Sequence, residues 1–178
     1  MESEKSLIIM VDDNPANLRI GKNLLLEKHT VATAPSAEKL FSLLENNHPV
    51  LILLDVDMPE MNGYEAIKML KSKPETANIP VIFLTARTDP DAEVTGLSLG
   101  AVDYITKPIQ PQLLLKRIEL HLLIGVQSKI IKQQTEMQNT LLKKTKELVK
   151  CAEEKGIQID PALVELFQKA SDQCKEIK

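Results

Sequence analysis

The sequence has few cysteines and no long apolar run, and these shortages exclude several classes of protein. Its two cysteines, Cys151 and Cys174, do not stand in a metal-ligand or redox spacing, and so low a number is typical of the reducing cytosol. No apolar run approaches the length of a membrane span. The N-terminal MESEKS lacks the basic start and the long apolar core of a signal peptide. The sequence therefore predicts a cytoplasmic protein that makes no membrane contact.

A strong charge of one sign is also lacking, which argues against a polyanionic partner. The formal net charge is −3 over 178 residues. Residues 1–124 carry 12 Lys and Arg against 17 Asp and Glu, a net of −5, and residues 125–178 carry 10 against 8, a net of +2. A net of +2 with no helix-turn-helix pattern is a poor electrostatic footprint for DNA, so a nucleic-acid partner is not expected.

The sequence does contain the composition of a globular protein and a regular alternation of strand and helix patterns. Its hydrophobic content of 43% and charged content of 26% fit one domain of about 120 to 150 residues plus an appendage. Five strand–helix units predict an α/β fold with a doubly wound, five-stranded parallel sheet. The predicted strands cover 7–11, 29–34, 50–54, 81–84 and 101–105, and the helices begin at Pro15, after the N-cap Ser36, at 63–72, at 90–99 and near Pro111.

The third predicted strand ends in an unusual way. The stretch LILLDVDMPEMNG, residues 51–63, runs from four bulky aliphatic residues directly into Asp55. Such a strand fits a parallel sheet covered on both faces, whose carboxyl ends open into a ligand-binding crevice. Taken alone, Asp55 and Asp57 fit equally well as turn residues before Gly63. The choice between these interpretations depends on the other strands.

Polar residues follow four of the five strands. Asp12 and Asp13 follow the first, Asp55 the third, Thr85 the fourth and Lys107 the fifth. A cluster of three carboxylates is unfavourable alone, because like charges raise the pKa of one member, and a hard cation such as Mg²⁺ relieves the repulsion. The Thr85 hydroxyl and the Lys107 ammonium suit the oxygens of a phosphoryl group. The constellation predicts a phosphoryl pocket with a carboxylate nucleophile.

Four motifs on these strands match a known family in order and spacing. Together they resemble the receiver domain of two-component response regulators, across roughly residues 5–124. The resemblance implies a flavodoxin-like fold, and we expect the receiver domain to occupy residues 1–124. The motifs are VDDNP (11–15), DVDMPEMNG (55–63), FLTA (83–86) and YITKP (104–108).

The resemblance implies a role for each residue of the pocket. Asp55 would be the phosphoacceptor, and Lys107 would pair with the phosphoryl group. Mg²⁺ would be held by Asp12, Asp13 and Asp55, with the backbone carbonyl of Asp57. The phosphoryl donor would be a sensor histidine kinase or a phosphotransfer protein. The chain would then be a response regulator that catalyses only its own phosphorylation and dephosphorylation, and would not otherwise be an enzyme.

A conformational switch is implied by the same resemblance. Thr85 would turn toward the phosphoryl group and Tyr104 would follow inward, although a static, half-buried tyrosine fits this position as well. Pro108 would follow a cis peptide bond. The helix predicted at 90–99 has a thin apolar face and contains Gly96, which lowers its local stability and makes it a candidate moving part.

Two other functions are compatible with parts of the sequence. The Asp55 and Asp57 pair also resembles the nucleophile motif of haloacid-dehalogenase-type phosphohydrolases, with Asp57 as general acid and base. That family places the nucleophile strand first and the metal-binding acids last, which is the reverse of the order here. Residues 113–123, LLLKRIELHLL, resemble receivers that continue into a cyclic-dinucleotide signalling enzyme, whose output domain would be absent from this chain.

Residues 125–178 are predicted to be helical, with a role that the sequence leaves open. Gly156 predicts the end of a long helix, and Asp160 with Pro161 predicts the N-cap and first residue of a final helix. We expect either a locally packed helical hairpin or a weak coiled coil that forms a homodimer or an output element. The polar residues that interrupt the apolar seam of the long helix are Gln127, Gln134, Gln138 and Thr145.

Overall fold

The central element of the protein is a parallel sheet of five strands. The computed structural model describes residues 5–86 and 90–156, together with 160, 162 and 169. The strands follow the order β2-β1-β3-β4-β5 across the sheet, and each neighbouring pair is parallel. This arrangement confirms the predicted doubly wound sheet. The strands are β1 Leu7–Val11, β2 Thr30–Ala34, β3 Leu51–Asp55, β4 Val81–Thr85 and β5 Asp103–Thr106.

Helices connect these strands and follow the last one. In the described part of the chain they are α1 Pro15–Leu25, α2 Ala37–Leu44, α3 Gly63–Ser72, α4 Pro74–Ala77, α5 Pro90–Ser98 and α6 Pro111–Glu154. The alternation confirms the α/β class. Only α4 was not predicted, because a helix of four residues is too short to show an apolar period.

The largest error in the predicted boundaries concerns β5. The prediction began this strand at Ala101 because Ala101 and Val102 are apolar. Gly100, with a φ of 96°, instead closes the turn that ends α5, and its N–H donates to the Leu97 carbonyl at 3.0 Å. Pairing with β4 starts two residues later, with Asp103 opposite Ile82.

The core lies on both faces of the sheet, as expected for strands buried between layers of helices. On one face the strands pack against α2 and α3 through Leu40 and Leu70, among others. On the other they pack against α1 and α6 through Leu25 and Ile118. These four side chains are fully buried. The carboxyl ends of the strands are therefore held on a rigid support.

Side-chain caps start three of the helices. The Asn14 side chain caps α1, which was not predicted. Ser36 caps α2 as predicted, with an oxygen that accepts from a backbone N–H at 3.2 Å. Asn62 and Glu65 form a capping box at α3, with two hydrogen bonds of 3.0 Å. Capping satisfies backbone N–H groups that would otherwise lack partners. The turns that follow β1 and β3 are thereby fixed at the edge where the acidic residues lie.

The chain divides into two compact units, residues 1–125 and 126–178. In the second unit α6 continues to Glu154, and Gly156, with a φ of 68°, follows its end as predicted. The predicted final helix lies outside the described residues except at Asp160, Ala162 and Lys169. Asp160 accepts a hydrogen bond from the N–H of Ala162. None of the described helices is long and apolar enough to cross a membrane.

Gly63, the first residue of α3, packs closely against the backbone that ends and follows β3. A Cβ on Gly63 would overlap the carbonyl oxygen of Asp55 and would lie 2.9 Å from the Cα of Val56. Because these are backbone atoms, Gly63→Ala should lower the free energy of unfolding by about 1–3 kcal/mol, measured by urea denaturation. Gly125→Ala is the control, since nothing lies within 4 Å of its added Cβ, and it should be neutral or stabilising. A Gly63→Ala variant as stable as the wild type would contradict this packing.

Candidate functional site

Asp55 lies at the centre of the carboxyl edge of the sheet. It ends β3, the middle strand, and only 2% of its surface is exposed. Asp12 and Asp13 follow β1 on one side, and Thr85 ends β4 on the other. Asp12 and Thr85 are buried, whereas Asp13 is exposed. The structure therefore brings together the acids that the sequence placed at separate strand ends.

Lys107 joins two of these acids directly. Its ammonium donates to Asp55 Oδ2 at 2.6 Å and lies 2.8 Å from Asp12 Oδ2. Its backbone N–H donates to the Thr85 carbonyl at 2.7 Å, which ties the residue after β5 to the end of β4. The peptide bond between Lys107 and Pro108 is cis, which confirms the expectation from the family resemblance.

The cluster has more negative than positive charge, and the pKa values of both Asp55 and Lys107 are raised. Burial raises the pKa of Asp55, and the charge of Asp12 adds to that rise, so that the bond from Lys107 does not reverse it. Burial alone would lower the pKa of Lys107, but its bonds to Asp12 and Asp55 raise it above the ordinary value. Lys107 is thus firmly protonated, while Asp55 retains a preference for a further cation or a proton.

Three carboxylates are arranged as a potential metal site. One oxygen from each of Asp12, Asp13 and Asp55 lies within 4.8 Å of the others. Carboxylate oxygens are hard ligands of the kind that Mg²⁺ prefers, and one lysine cannot balance three carboxylates. The backbone N–H of Asp57 donates a hydrogen bond to Asp55 Oδ1 at 3.3 Å.

Asn17 is a site residue that the sequence analysis missed. Its side-chain amide donates to both oxygens of Asp12, at 3.0 and 3.1 Å, from the first turns of α1. The backbone N–H of Asn14 donates to Asp12 Oδ1 at 2.9 Å. Asp12 is therefore held by these donors and by Lys107. An amide five residues after the acid, on the helix that begins there, is the signal that would have identified it.

The predicted switch residues lie on the next two strands of the sheet after that of Asp55, Thr85 on β4 and Tyr104 on β5. Thr85 is 4% exposed at the end of β4, next to the edge strand β5 that carries Tyr104. Interaction of the Tyr104 hydroxyl with the Glu93 side chain of α5 raises the pKa of Tyr104. In this structure the Tyr104 side chain therefore lies near α5. The Glu93 contact was not predicted, because it depends on the packing of α5.

A second cluster that was not predicted links β5 to α6. Asp103, the first residue of β5, is 7% exposed and accepts two hydrogen bonds from Arg117 Nη1, at 2.9 and 3.2 Å. Nε2 of His121 lies 2.9 Å from the same carboxylate. Arg117 and His121 are four residues apart and so share one face of α6. The strand β5 thus begins in this cluster and ends directly before Lys107.

Comparisons with known proteins find the same domain elsewhere. Residues 8–119 match the family model described as the response regulator receiver domain. The "Probable cyclic di-GMP phosphodiesterase" of Vibrio cholerae is 42% identical over 115 residues, which cover 65% of this chain and 26% of that protein. "Transcriptional regulatory protein AfsQ1" of Streptomyces coelicolor is 39% identical over 113 residues, covering 64% and 49%. The chain thus spans about a quarter to a half of the length of these relatives.

Solved structures give the same picture of the fold. A receiver domain protein from Methanospirillum hungatei matches with a TM-score of 0.65 and 29% identity, covering 70% of this chain and 98% of that one. A structure described as the BeF3-activated DrrB receiver domain matches with a TM-score of 0.60 and 33% identity, covering 66% and 97%. These matches support the fold described here.

The raised pKa of Asp55 predicts how stability depends on pH. A carboxyl whose pKa is higher in the folded than in the unfolded state stabilises the fold at low pH, and this contribution is lost as the pH rises through the folded-state pKa. In the presence of a chelator, Asp55→Asn should therefore have a higher Tm than the wild type at pH 7. The difference should shrink as the pH falls to about 4.

Asp57→Asn is the matched control for this measurement. Asp57 is an exposed acid in the same loop, and its substitution should change the free energy of unfolding by no more than about 0.5 kcal/mol. A Tm for Asp55→Asn below that of the wild type at pH 7 would show that the bond to Lys107 outweighs the cost of burying the Asp55 charge.

Proposed function

Because the chain belongs to the response regulator receiver domain family, we propose that Asp55 is the residue that accepts a phosphoryl group. The observation that carries the proposal is the contact of the Lys107 ammonium with Asp55 at 2.6 Å, beside the carboxylates of Asp12 and Asp13. A buried carboxylate with an adjacent cation and metal ligands fits a nucleophile that attacks a charged phosphoryl group. The site is also open on the side of Asp13, which is exposed.

In the proposed reaction a carboxylate oxygen of Asp55 bonds to the phosphorus of a phosphohistidine. The phosphorus–nitrogen bond of the donor breaks, the imidazole nitrogen takes the electron pair, and an acyl phosphate is formed on Asp55. Lys107 neutralises part of the negative charge on the incoming group. Asn17 keeps the Asp12 carboxylate in position throughout, because its amide donates to both Asp12 oxygens.

We propose Mg²⁺ as the cofactor. The carboxylates of Asp12, Asp13 and Asp55, with the backbone carbonyl of Asp57, would hold it. Bound there, the ion would offset the negative charge shared between the acids and the phosphoryl oxygens. The excess of carboxylates over ammonium groups at the site supports this assignment, since Lys107 alone leaves the cluster negative.

Phosphorylation would change the charge at Asp55, next to Lys107 and Thr85. A phosphorylated group carries about −1.5 to −2 charge and three strong acceptor oxygens, where Asp55 had a single negative charge. In our proposal Lys107 moves its ammonium to the phosphoryl group, and the Thr85 hydroxyl turns toward it. Tyr104 then leaves Glu93 and moves inward, which frees α5. The structure of β5 and its neighbours would shift between two arrangements.

This function makes the chain a cytoplasmic signalling protein whose phosphoryl donor is a sensor histidine kinase or a phosphotransfer protein. It would have no enzymatic activity beyond its own phosphorylation and dephosphorylation. The match to the receiver family does not favour the haloacid-dehalogenase alternative. One relative is named a phosphodiesterase and another a transcriptional regulator, and this chain spans only part of each. The output of the whole protein is therefore a proposal, in which residues 125–178 transmit the signal.

Intact-mass measurement after incubation with acetyl phosphate and Mg²⁺ tests the proposed acceptor. The wild type should gain one phosphoryl group, and Asp55→Asn should gain none because its amide is not a nucleophile. Asp57→Asn is the matched control: only the backbone carbonyl of Asp57 is used in the proposal, so this variant should be labelled like the wild type. Equal labelling of Asp55→Asn would place the acceptor elsewhere.

The same three proteins separate the receiver from the phosphohydrolase. With a generic aryl phosphate substrate, no turnover above buffer is expected from any of them. Turnover by the wild type that is abolished in Asp57→Asn would instead support a general acid and base at Asp57, and would overturn the proposal.

A further inference from the structure

Movement of Lys107 toward a phosphoryl group on Asp55 would take a donor away from Asp12. The Lys107 ammonium lies 2.8 Å from Asp12 Oδ2 and 2.6 Å from Asp55 Oδ2. Asp12 is completely buried, so bulk water does not reach its oxygens. A buried carboxylate that loses its partner is costly, because its charge is then neither solvated nor paired. Transfer of Lys107 therefore depends on what else bonds Asp12.

The two oxygens of Asp12 differ in their donors. Oδ1 accepts from the backbone N–H of Asn14 at 2.9 Å and from the side-chain amide of Asn17 at 3.0 Å. Oδ2 faces Lys107 and accepts from the same amide at 3.1 Å. In the described part of the chain, the Asn17 amide is thus the one donor besides Lys107 that bonds Oδ2. It is the group left to satisfy this oxygen when the ammonium moves away.

The start of α1 holds this amide in place. The Asn14 side chain caps the helix by accepting from a backbone N–H at 2.9 Å, and Pro15 occupies the first helical position. A proline there fixes φ and costs the helix no hydrogen bond. Asn17 follows in the same turn and is half-buried. The amide therefore reaches Asp12 from a backbone that is already fixed, and it does not depend on the position of the ammonium.

A neutral amide has the chemistry that this position requires. An asparagine side chain donates hydrogen bonds without adding a charge. A carboxylate here would repel Asp12, and a second cation would oppose the ammonium of Lys107 and reduce the negative charge of the site. The Asn17 amide supplies a donor to Asp12 and leaves the charge balance of the site to Lys107 and the acids.

We propose that Asn17 is a positioning residue for the phosphoryl transfer, whose amide keeps Oδ2 of Asp12 hydrogen-bonded while the Lys107 ammonium moves to the phosphoryl group. Asn17 acts through Asp12 and does not contact the phosphoryl group itself. By lowering the cost of leaving Asp12, it makes Lys107 available to the new charge. This role rests on the proposed phosphorylation of Asp55.

A double-mutant cycle on the unphosphorylated full chain tests the hydrogen-bonding role. Lys107→Ala imitates departure of the ammonium, and Asn17→Leu removes the amide donors while keeping a side chain of similar size. With a chelator present, the effect of Lys107→Ala on the folding equilibrium constant, measured by urea denaturation, should be at least about tenfold less favourable in Asn17→Leu than in the wild type. The reason is that Asp12 Oδ2 then loses both of its donors. Equal effects in the two backgrounds would overturn the proposal.

Asn23→Leu is the matched control for this cycle. Asn23 lies on the same helix, is exposed and does not bond Asp12. The same substitution at this position should therefore be additive with Lys107→Ala. Coupling of equal size for Asn23→Leu would show that the cycle reports the stability of α1 and not the hydrogen bonds to Asp12, which would contradict the role of Asn17.

The rate of phosphorylation tests the same role during the transfer. The proteins are incubated with acetyl phosphate and with Mg²⁺ at a concentration that saturates the rate, and labelling is followed by intact mass. Asn17→Leu should be labelled at least about threefold more slowly than the wild type and Asn23→Leu, because Asp12 then retains Lys107. A labelled wild type with an unchanged rate in Asn17→Leu would overturn the role of Asn17 alone. A wild type that gains no phosphoryl group would overturn the proposed function, and this role with it.

Discussion

The contact of one lysine ammonium with two buried carboxylates is the constraint on which the site depends. Lys107 reaches Asp55 at 2.6 Å and Asp12 at 2.8 Å, from a residue that follows the edge strand β5. Asp55 ends the central strand and Asp12 follows its neighbour β1. The ion pairs therefore span the sheet from its edge to its centre. Burial makes such contacts strong but also makes any unpaired charge costly.

The same constraint leaves an excess of negative charge at the site. One ammonium cannot balance the carboxylates around it, so the pKa of Asp55 remains raised and the cluster retains an affinity for further positive charge. Any group that alters the charge at Asp55 must also alter the position preferred by Lys107. β5 also carries Tyr104, which interacts with Glu93 of α5, and Asp103, which accepts hydrogen bonds from Arg117 of α6, so this one strand is linked to two helices.

The sequence predicted those features that depend on short-range patterns. Apolar runs that end in polar residues located the strands and the edge where Asp12, Asp55 and Lys107 meet, and Ser36 was recognised as a cap. What the sequence did not reveal depends on packing between distant segments. Asn17 holds Asp12 only because α1 turns back over the end of β1, and Asp103 is paired only because α6 lies across β5. The start of β5 was misplaced because the apolar residues Ala101 and Val102 come before the first residue that pairs with β4.

The central claim is that Lys107 carries the effect of phosphorylation from Asp55 into β5 and α6. Hydrogen–deuterium exchange over residues 103–125, before and after acetyl phosphate with Mg²⁺, tests it in the wild type and in Lys107→Ala, with the phosphorylated fraction determined by mass in the same samples. We expect exchange in this region to change on phosphorylation of the wild type and to stay constant in the phosphorylated variant. The same change in both proteins would contradict the account.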